Sequence, residues 1–249
     1  MDFILTFLMN GLFGMYATKL PDPAKYTIFG LSVAVICISA YLLGSINFAI
    51  IISKKQYNQD IRNYGSNNAG MTNMMRTYGK KAAALTLIGD ALKAIISCII
   101  GYVLLGQLGA YLGGLFSVIG HIFPLYYKFK GGKGVITALM TILMCNPVVF
   151  IIIMVMFALI VLFTKYISLA SVMCMLLYPL ILDRIDKWLF SAEGSVGGWI
   201  AVIIAALIVF KHWANIKRLL NGSENKFSFK KSVKKSDLEA NENKDTKNS

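Results

Sequence analysis

The chain has 249 residues, of which 57% are hydrophobic and 15% charged, and its formal charge is +13. Soluble domains carry about 25% charged residues, and here the charges crowd into a few loops and the C-terminal tail. An ordinary soluble globule and a disordered chain are both excluded, and one integral helical membrane domain is the economical reading.

Residues 3–16 (FILTFLMNGLFGMY) are apolar but too short to span a bilayer. They follow MD rather than a basic region and lack an A-x-A site, so an interfacial helix ending at Pro21 and Pro23 is expected, not a cleaved signal peptide. Seven apolar segments follow: about 28–53, 82–105, 108–127, a run over 135–163, 166–182 and 196–212, with the run split in two at Asn146-Pro147. The residue before a proline is driven out of helical conformation, so a tight turn is expected there. The alternative is one long kinked helix, giving six spans.

Seven spans with the N-terminus outside put twenty lysines and arginines on inner segments, against Lys19, Lys25, Arg184 and Lys187 outside. That asymmetry favours seven spans and a cytoplasmic C-terminus. Positive-inside topology and anionic lipid explain the basic charge better than nucleic acid, which is not expected as a partner. Residues 228–249 read as a disordered basic and polar cytoplasmic tail. The expected architecture is therefore all-α, a polytopic membrane bundle. It has an extension over 1–26, a membrane-embedded domain over 27–227 and a tail over 228–249.

Under this topology the chemically unusual residues fall on the cytoplasmic side. The first inner loop carries Gly65-Ser66-Asn67-Asn68-Ala69-Gly70, then Thr72 and Asn73, with Arg62, Arg76, Lys80 and Lys81 around it. Glycines let backbone N–H groups approach an anion, and the polar side chains add donors. The Gly65-x4-Gly70 spacing matches a P-loop, but Met71 stands where the lysine belongs, so a nucleotide site is unsupported. The bland alternative is a flexible loop with positive-inside charge.

The second inner loop carries Gly131-Gly132-Lys133-Gly134 at the start of the next apolar segment. A glycine turn at a helix N-terminus suits an anion, and Lys133 adds a full charge. It also reads as a plain basic turn. At the end of the last segment, His212 and Asn215 share a helix face at i, i+3 spacing, with Arg218 beyond. Histidine suits proton transfer near neutral pH; an interfacial polar anchor is the alternative.

Asp90 and Lys93 lie within the second apolar segment at i, i+3 spacing, as a bundle-orienting ion pair or a substrate contact. His121, about two turns from the end of the third segment, reads first as a buried, hydrogen-bonded histidine. Ser168 and Ser171 bring hydroxyls to the start of the sixth segment, to bind an anion or cap the helix. Cys37, Cys98, Cys145 and Cys174 sit singly in apolar runs, and with two histidines they suggest no metal site.

Five blocks in order resemble the bacterial acyl-phosphate:glycerol-3-phosphate acyltransferase family: LLGSINFA (42–49), DIRNYGSNNAGMTN with RTYGKK (60–81), GHIFPLYYKFKGGKGVITA (120–138), KYISLAS (165–171) and HWANIKRLLNGSE (212–224). The resemblance covers roughly residues 38–227. It implies a seven-helix enzyme of the bacterial inner (plasma) membrane with a cytoplasmic active site. This enzyme moves a fatty acyl group from acyl phosphate to the 1-hydroxyl of sn-glycerol 3-phosphate, giving lysophosphatidic acid and phosphate for phospholipid biosynthesis. It implies no cofactor, no metal and no acyl-CoA. An acyl carrier protein:phosphate acyltransferase is implied as pathway partner, and membrane lipids as surroundings.

Position by position, the resemblance implies catalytic roles for Ser66, Arg76, His212 and Asn215. Substrate binding falls to Gly65, Asn68, Thr72, Asn73, Gly131, Gly132, Lys133, Gly134 and Ser171, while Gly222 and Glu224 match positions that look structural. Asn67 departs from the family's usual Gly, Met71 from its Ala, Asn47 from a common Pro and Ala94 from a common Gly. Asn67 still tolerates a left-handed backbone, so the loop is expected to survive. Either His212 or a substrate phosphate oxygen takes the hydroxyl proton. An acyl-CoA enzyme of the His-x4-Asp type is excluded, because Tyr126 and Lys217 stand five residues after the two histidines. An organic-phosphate transporter is the remaining alternative, weakened by the absence of an internal repeat.

Overall fold

The computed structural model describes residues 11–17, 19–190 and 196–227. Within them the chain is helical and forms no strand. The helices are α1 (Asp22–Ser45), α2 (Phe48–Tyr57), α3 (Met71–Tyr78), α4 (Lys80–Ile122), α5 (Val135–Cys145), α6 (Pro147–Thr164), α7 (Ile167–Phe190), α8 (Val196–Lys211) and α9 (Trp213–Leu220). Residues 11–17 are helical too. The rest of its apolar stretch, 3–10, and the tail over 228–249 lie outside the described residues.

Among the described residues, four stretches are long and apolar enough to cross a membrane, and the pair α8–α9, bent by 59°, makes a fifth if it is one span. Helix α6 has a bare apolar surface of the kind a bilayer accepts: Leu162 is 69% and Phe163 80% exposed.

The helices group into two compact units. In the unit made of residues up to Ile46 together with Asp90–Phe227, α4 is not a straight rod. Leu105 and Gly106 leave helical geometry, and Gly106 takes φ +58° and ψ −141°, a backbone that glycine alone adopts readily. A Cβ on Gly101 would lie 1.9 Å from the carbonyl oxygen of Gly109, and one on Gly113 would lie 2.2 Å from that of Ser97. The two pairs step apart in opposite directions along the chain, so the arms are antiparallel and pack backbone to backbone. This separates the second and third apolar segments where the sequence divides them.

Gly44 of α1 meets Ser117 in the same close fashion, and Gly120 meets Tyr41. Small residues at a crossing let helices approach where lipid gives no hydrophobic drive. Asn146 breaks the 135–163 run: its side chain accepts from the N–H of Val149 and caps α6, whose first residue is Pro147. The continuous kinked helix is thereby excluded. A core of Tyr111, Val118, Ile122, Ile142, Tyr178 and Ile204 joins the α4 second arm to α5, α7 and α8.

Three segment boundaries differ from expectation. The first apolar segment is two helices, because Ile46 turns extended and Asn47 caps α2 by accepting from Ile50 N. The third ends at Ile122 rather than 127, since Pro124 cannot continue the ladder and a 3₁₀ turn, Leu125–Tyr127, follows. His121 is therefore at the helix end, not two turns inside. The sixth continues to Phe190, carrying Pro179 within it.

Polar contacts sort this unit into two ends. At one, Gln107 donates to Cys145 O and Asn146 to Asp186. At the other, Phe227 N donates to Lys165 O, and residues 131–134, 168 and 212–224 converge.

The second unit, Asn47–Gly89, is built around short helices. Asn58 ends α2 in the left-handed region at φ +53°. Ser53 Oγ accepts from Ile61 N, which starts a 3₁₀ turn over Ile61–Asn63. Tyr57 and Tyr78 stack with ring centroids 4.0 Å apart, and Tyr78 Oη donates to Gln59.

Candidate active site

In the second unit the loop over 61–73 is organised by one buried side chain. Asn73 Oδ1 accepts from Ser66 N at 2.9 Å, while Nδ2 donates to the carbonyls of Ile61, Tyr64 and Asn68. Asn47 Nδ2 holds the same loop through Ala69 O. Asn73 was expected to touch substrate; the structure shows its amide engaged with the loop backbone.

Two left-handed residues make the loop tight. Gly65 takes φ +60°, and a Cβ there would meet Asn73 Oδ1 at 2.3 Å. Asn67 takes φ +57°, the conformation expected for it in place of the family's Gly. Ser66 is exposed on this turn, while Asn68, Thr72 and Arg76 are half-buried. Gly70 precedes α3 and no side chain caps that helix, so its first-turn N–H groups are suited to an anion. The Arg62 guanidinium donates to Asp60 at 2.9 and 2.7 Å, and its backbone N–H donates to Asp60 Oδ1 at 3.0 Å. Burial alone would raise the Asp60 pKa, but the Arg62 guanidinium brings it below the usual carboxylate value.

In the other unit the glycine turn rests on the end of α4. Gly132 N donates to His121 O at 3.1 Å, and a Cβ on Gly131 would lie 2.0 Å from that same oxygen. Gly134, at φ +82°, opens α5 without a side-chain cap. Lys133 reaches across to α9 and donates its ammonium to Asn215 Oδ1. Asn215 Nδ2 donates in turn to Glu224 Oε1 at 2.7 Å. Glu224 also accepts from Ser168 Oγ at 2.9 Å and from Arg218 Nε at 2.7 Å.

Burial raises the Glu224 pKa, but the hydrogen bonds from Arg218, Asn215 and Ser168 outweigh it and hold the carboxyl below the usual range. The sequence marks Glu224 only as structural-looking and Ser168 only as one of two hydroxyls. Their meeting depends on the turn at Gly222, whose φ of +68° folds residues 223–224 back onto α9. Ser171 is buried and donates to Ile167 O in its own helix.

His212 sits at the α8–α9 bend, 2% exposed. Its Nδ1 lies 2.8 Å from Ile208 O. A carbonyl has no proton to give, so Nδ1 carries the hydrogen and the neutral ring leaves Nε2 as a proton acceptor. His212 stands at the head of α9 and Asn215 within it, and Asn215 meets Lys133.

An apolar helical bundle thus carries a cation–amide–carboxylate chain and a histidine at one end, the architecture of an integral membrane protein with a polar site. The profile of the family described as glycerol-3-phosphate acyltransferase matches residues 34–222, and the chain belongs to that family. A glycerol-3-phosphate acyltransferase of Finegoldia magna is 42% identical over 192 residues, 76% of this chain and 93% of that protein. One from Clostridioides difficile is 39% identical over 206 residues, 80% and 98% of the two chains. The crystal structure of PlsY (YgiH), an integral membrane glycerol 3-phosphate acyltransferase, in its glycerol 3-phosphate form, superposes with a TM-score of 0.71. It is 38% identical, covering 79% of this chain and 96% of that one. The lysophosphatidic acid form superposes with a TM-score of 0.68 at 37% identity, covering 80% of this chain and 96% of that one.

Proposed function

We propose that this protein transfers a fatty acyl group from acyl phosphate to the 1-hydroxyl of sn-glycerol 3-phosphate, releasing lysophosphatidic acid and inorganic phosphate. The observation that carries the reading is the Lys133–Asn215–Glu224 chain beside His212 in a member of this family. An organic-phosphate transporter is disfavoured by the same membership. The similar protein PlsY (YgiH) has been crystallised in glycerol 3-phosphate and lysophosphatidic acid forms, the acceptor and product of this reaction.

Acyl phosphate is a mixed anhydride whose phosphate is already a good leaving group, so two anions held together suffice without a metal. In the proposed step the glycerol hydroxyl oxygen attacks the acyl carbonyl carbon. His212 Nε2 takes the hydroxyl proton, and the carbon–oxygen bond to phosphate breaks as the new ester forms. Holding hydroxyl and carbonyl in contact supplies much of the rate. Asn215 donates its second amide hydrogen to the developing oxyanion, and Ser66 serves as a donor of its own loop. Lys133, with the N–H groups of Gly131 and Gly134, neutralises phosphate charge, and Gly132, whose N–H is held by His121 O, keeps that turn in place. In the other unit Arg76, Gly65, Asn68 and Thr72 offer charge and donors to an anion. Asn73 and Ser171 serve by keeping the loop and the start of α7 in shape.

The topology that goes with this reading has seven crossings, the N-terminus outside and the C-terminus in the cytoplasm of a bacterial inner membrane. The active site then faces the cytoplasm, where an acyl carrier protein:phosphate acyltransferase supplies the acyl phosphate. The test is purified protein in lipid given palmitoyl phosphate and glycerol 3-phosphate without CoA or ATP. Lysophosphatidic acid and phosphate should appear one for one; phosphate release without acylation, or uptake without either product, overturns the reading.

A further inference from the structure

Among the buried ionisable side chains that the reaction proposed above leaves unused, an acid, a lysine and a histidine stand together. Asp90, Lys93 and His121 are 2%, 3% and 4% exposed, all within the α4 hairpin. Lys93 Nζ lies 2.9 Å from Asp90 Oδ1, 2.6 Å from Ile46 O and 2.9 Å from His121 Nδ1. An ammonium has three protons and no lone pair, so it donates to Ile46 O and to His121 Nδ1 while pairing as an ion with Asp90, and the neutral His121 ring keeps its own proton on Nε2. The three partners belong to three places: the C-terminal end of α1, the first arm of α4 and the last turn of its second arm. Ile46 O is at the negative end of the α1 dipole, where a cation is stabilising. Buried charges at membrane depth are costly and call for a purpose beyond packing.

His121 supplies that purpose. Its ring is held by Lys93, and its carbonyl oxygen accepts from Gly132 N and fills the space a Cβ on Gly131 would need. The residue that seats the glycine turn is thus anchored from behind by the ammonium. The next residue after Gly132 is Lys133, whose own ammonium meets Asn215.

We propose that Lys93, neutralised by Asp90, is a positioning residue: through His121 it fixes the 131–134 turn and thereby aims Lys133. This inference rests on the functional reading above for its kinetic consequence but not for its structural one.

The test uses the full chain in lipid nanodiscs. In Asp90→Leu/Lys93→Met, both charges are replaced by apolar groups of similar volume, an exchange that commonly leaves stability unchanged or improved. Amide exchange at Gly132 should quicken about tenfold, the size of one lost hydrogen bond, while amides of α6 stay as they were. kcat/KM with acyl phosphate and glycerol 3-phosphate should drop by about tenfold to a hundredfold. Adding Lys133→Met should cost the double variant little more than Lys133→Met costs alone, since both changes act through one side chain.

If the double variant does not fold, His121→Leu and His121→Asn take its place. Leucine should reproduce the faster exchange, and asparagine, whose Oδ1 can replace Nδ1 as acceptor, should restore parental exchange. Unchanged exchange at Gly132, or fully additive losses with Lys133→Met, overturns the proposal. Faster exchange in a protein whose parent shows no acyl transfer supports the positioning role and instead removes the functional reading.

Discussion

Lys133 and Asn215, 82 residues apart in sequence, meet through the ammonium and the amide oxygen, while Glu224 holds the opposite edge of that amide. The two contacts fix which way the amide faces: the oxygen toward the lysine, the NH₂ toward the carboxylate. In Glu224→Gln, Ser168, Asn215 and Arg218 would compete for one remaining acceptor oxygen. We expect a stability loss of about 1–3 kcal/mol by denaturation in detergent, and a fall in kcat/KM of about tenfold to a hundredfold. Parental kcat/KM in this variant would detach Glu224 from the site.

The same carboxyl sets a pH dependence. Its folded pKa is below the ordinary carboxylate value, so its contribution to stability is complete above that ordinary value and disappears as pH falls through the lowered one. The melting temperature of the parent minus that of Glu224→Gln should be flat between about pH 8 and pH 5.5 and should narrow only below about pH 4. A gap that closes already near pH 6 contradicts the assignment.

Proton transfer at His212 is separable from binding. In His212→Asn a polar side chain remains at the bend but no group of suitable pKa. Turnover should collapse by about a hundredfold to ten-thousandfold, with the dissociation constant for glycerol 3-phosphate, by calorimetry in nanodiscs, nearly unchanged. Retained turnover with weakened binding would assign the base to a substrate phosphate oxygen.

Asn67 offers a test of the first loop. Its φ of +57° suits glycine and is tolerated by asparagine. Asn67→Gly should keep activity and melting temperature close to parental. Asn67→Val should be destabilised by about 1–3 kcal/mol, as a branched residue forced into the left-handed region, and should lose activity with it. Equal behaviour of the two variants would show that the turn is not constrained as described.

Much of this was legible in the residues. Apolar runs and their proline and glycine breaks gave the helices, and Asn146-Pro147 gave a true cap because both residues favour it locally. The break at Ile46–Asn47 was hidden, since asparagine inside an apolar run carries no sign of capping until Ile50 N is seen to need an acceptor. The i, i+3 pairing of Asp90 with Lys93 is a local regularity and was readable. Its third member, His121, comes from the other arm of a hairpin, and no spacing announces that. Likewise Asn73 looked like one more polar residue in a phosphate loop. Only its four hydrogen bonds show that it holds the loop together from beneath.

The hairpin of α4 has a consequence for traffic within the bilayer. Where Gly101 faces Gly109 and Gly113 faces Ser97, peptide planes touch with no side chain between them. A hydrocarbon tail is far wider than that seam, so the oily end of any substrate or product has to travel along some other flank of the protein.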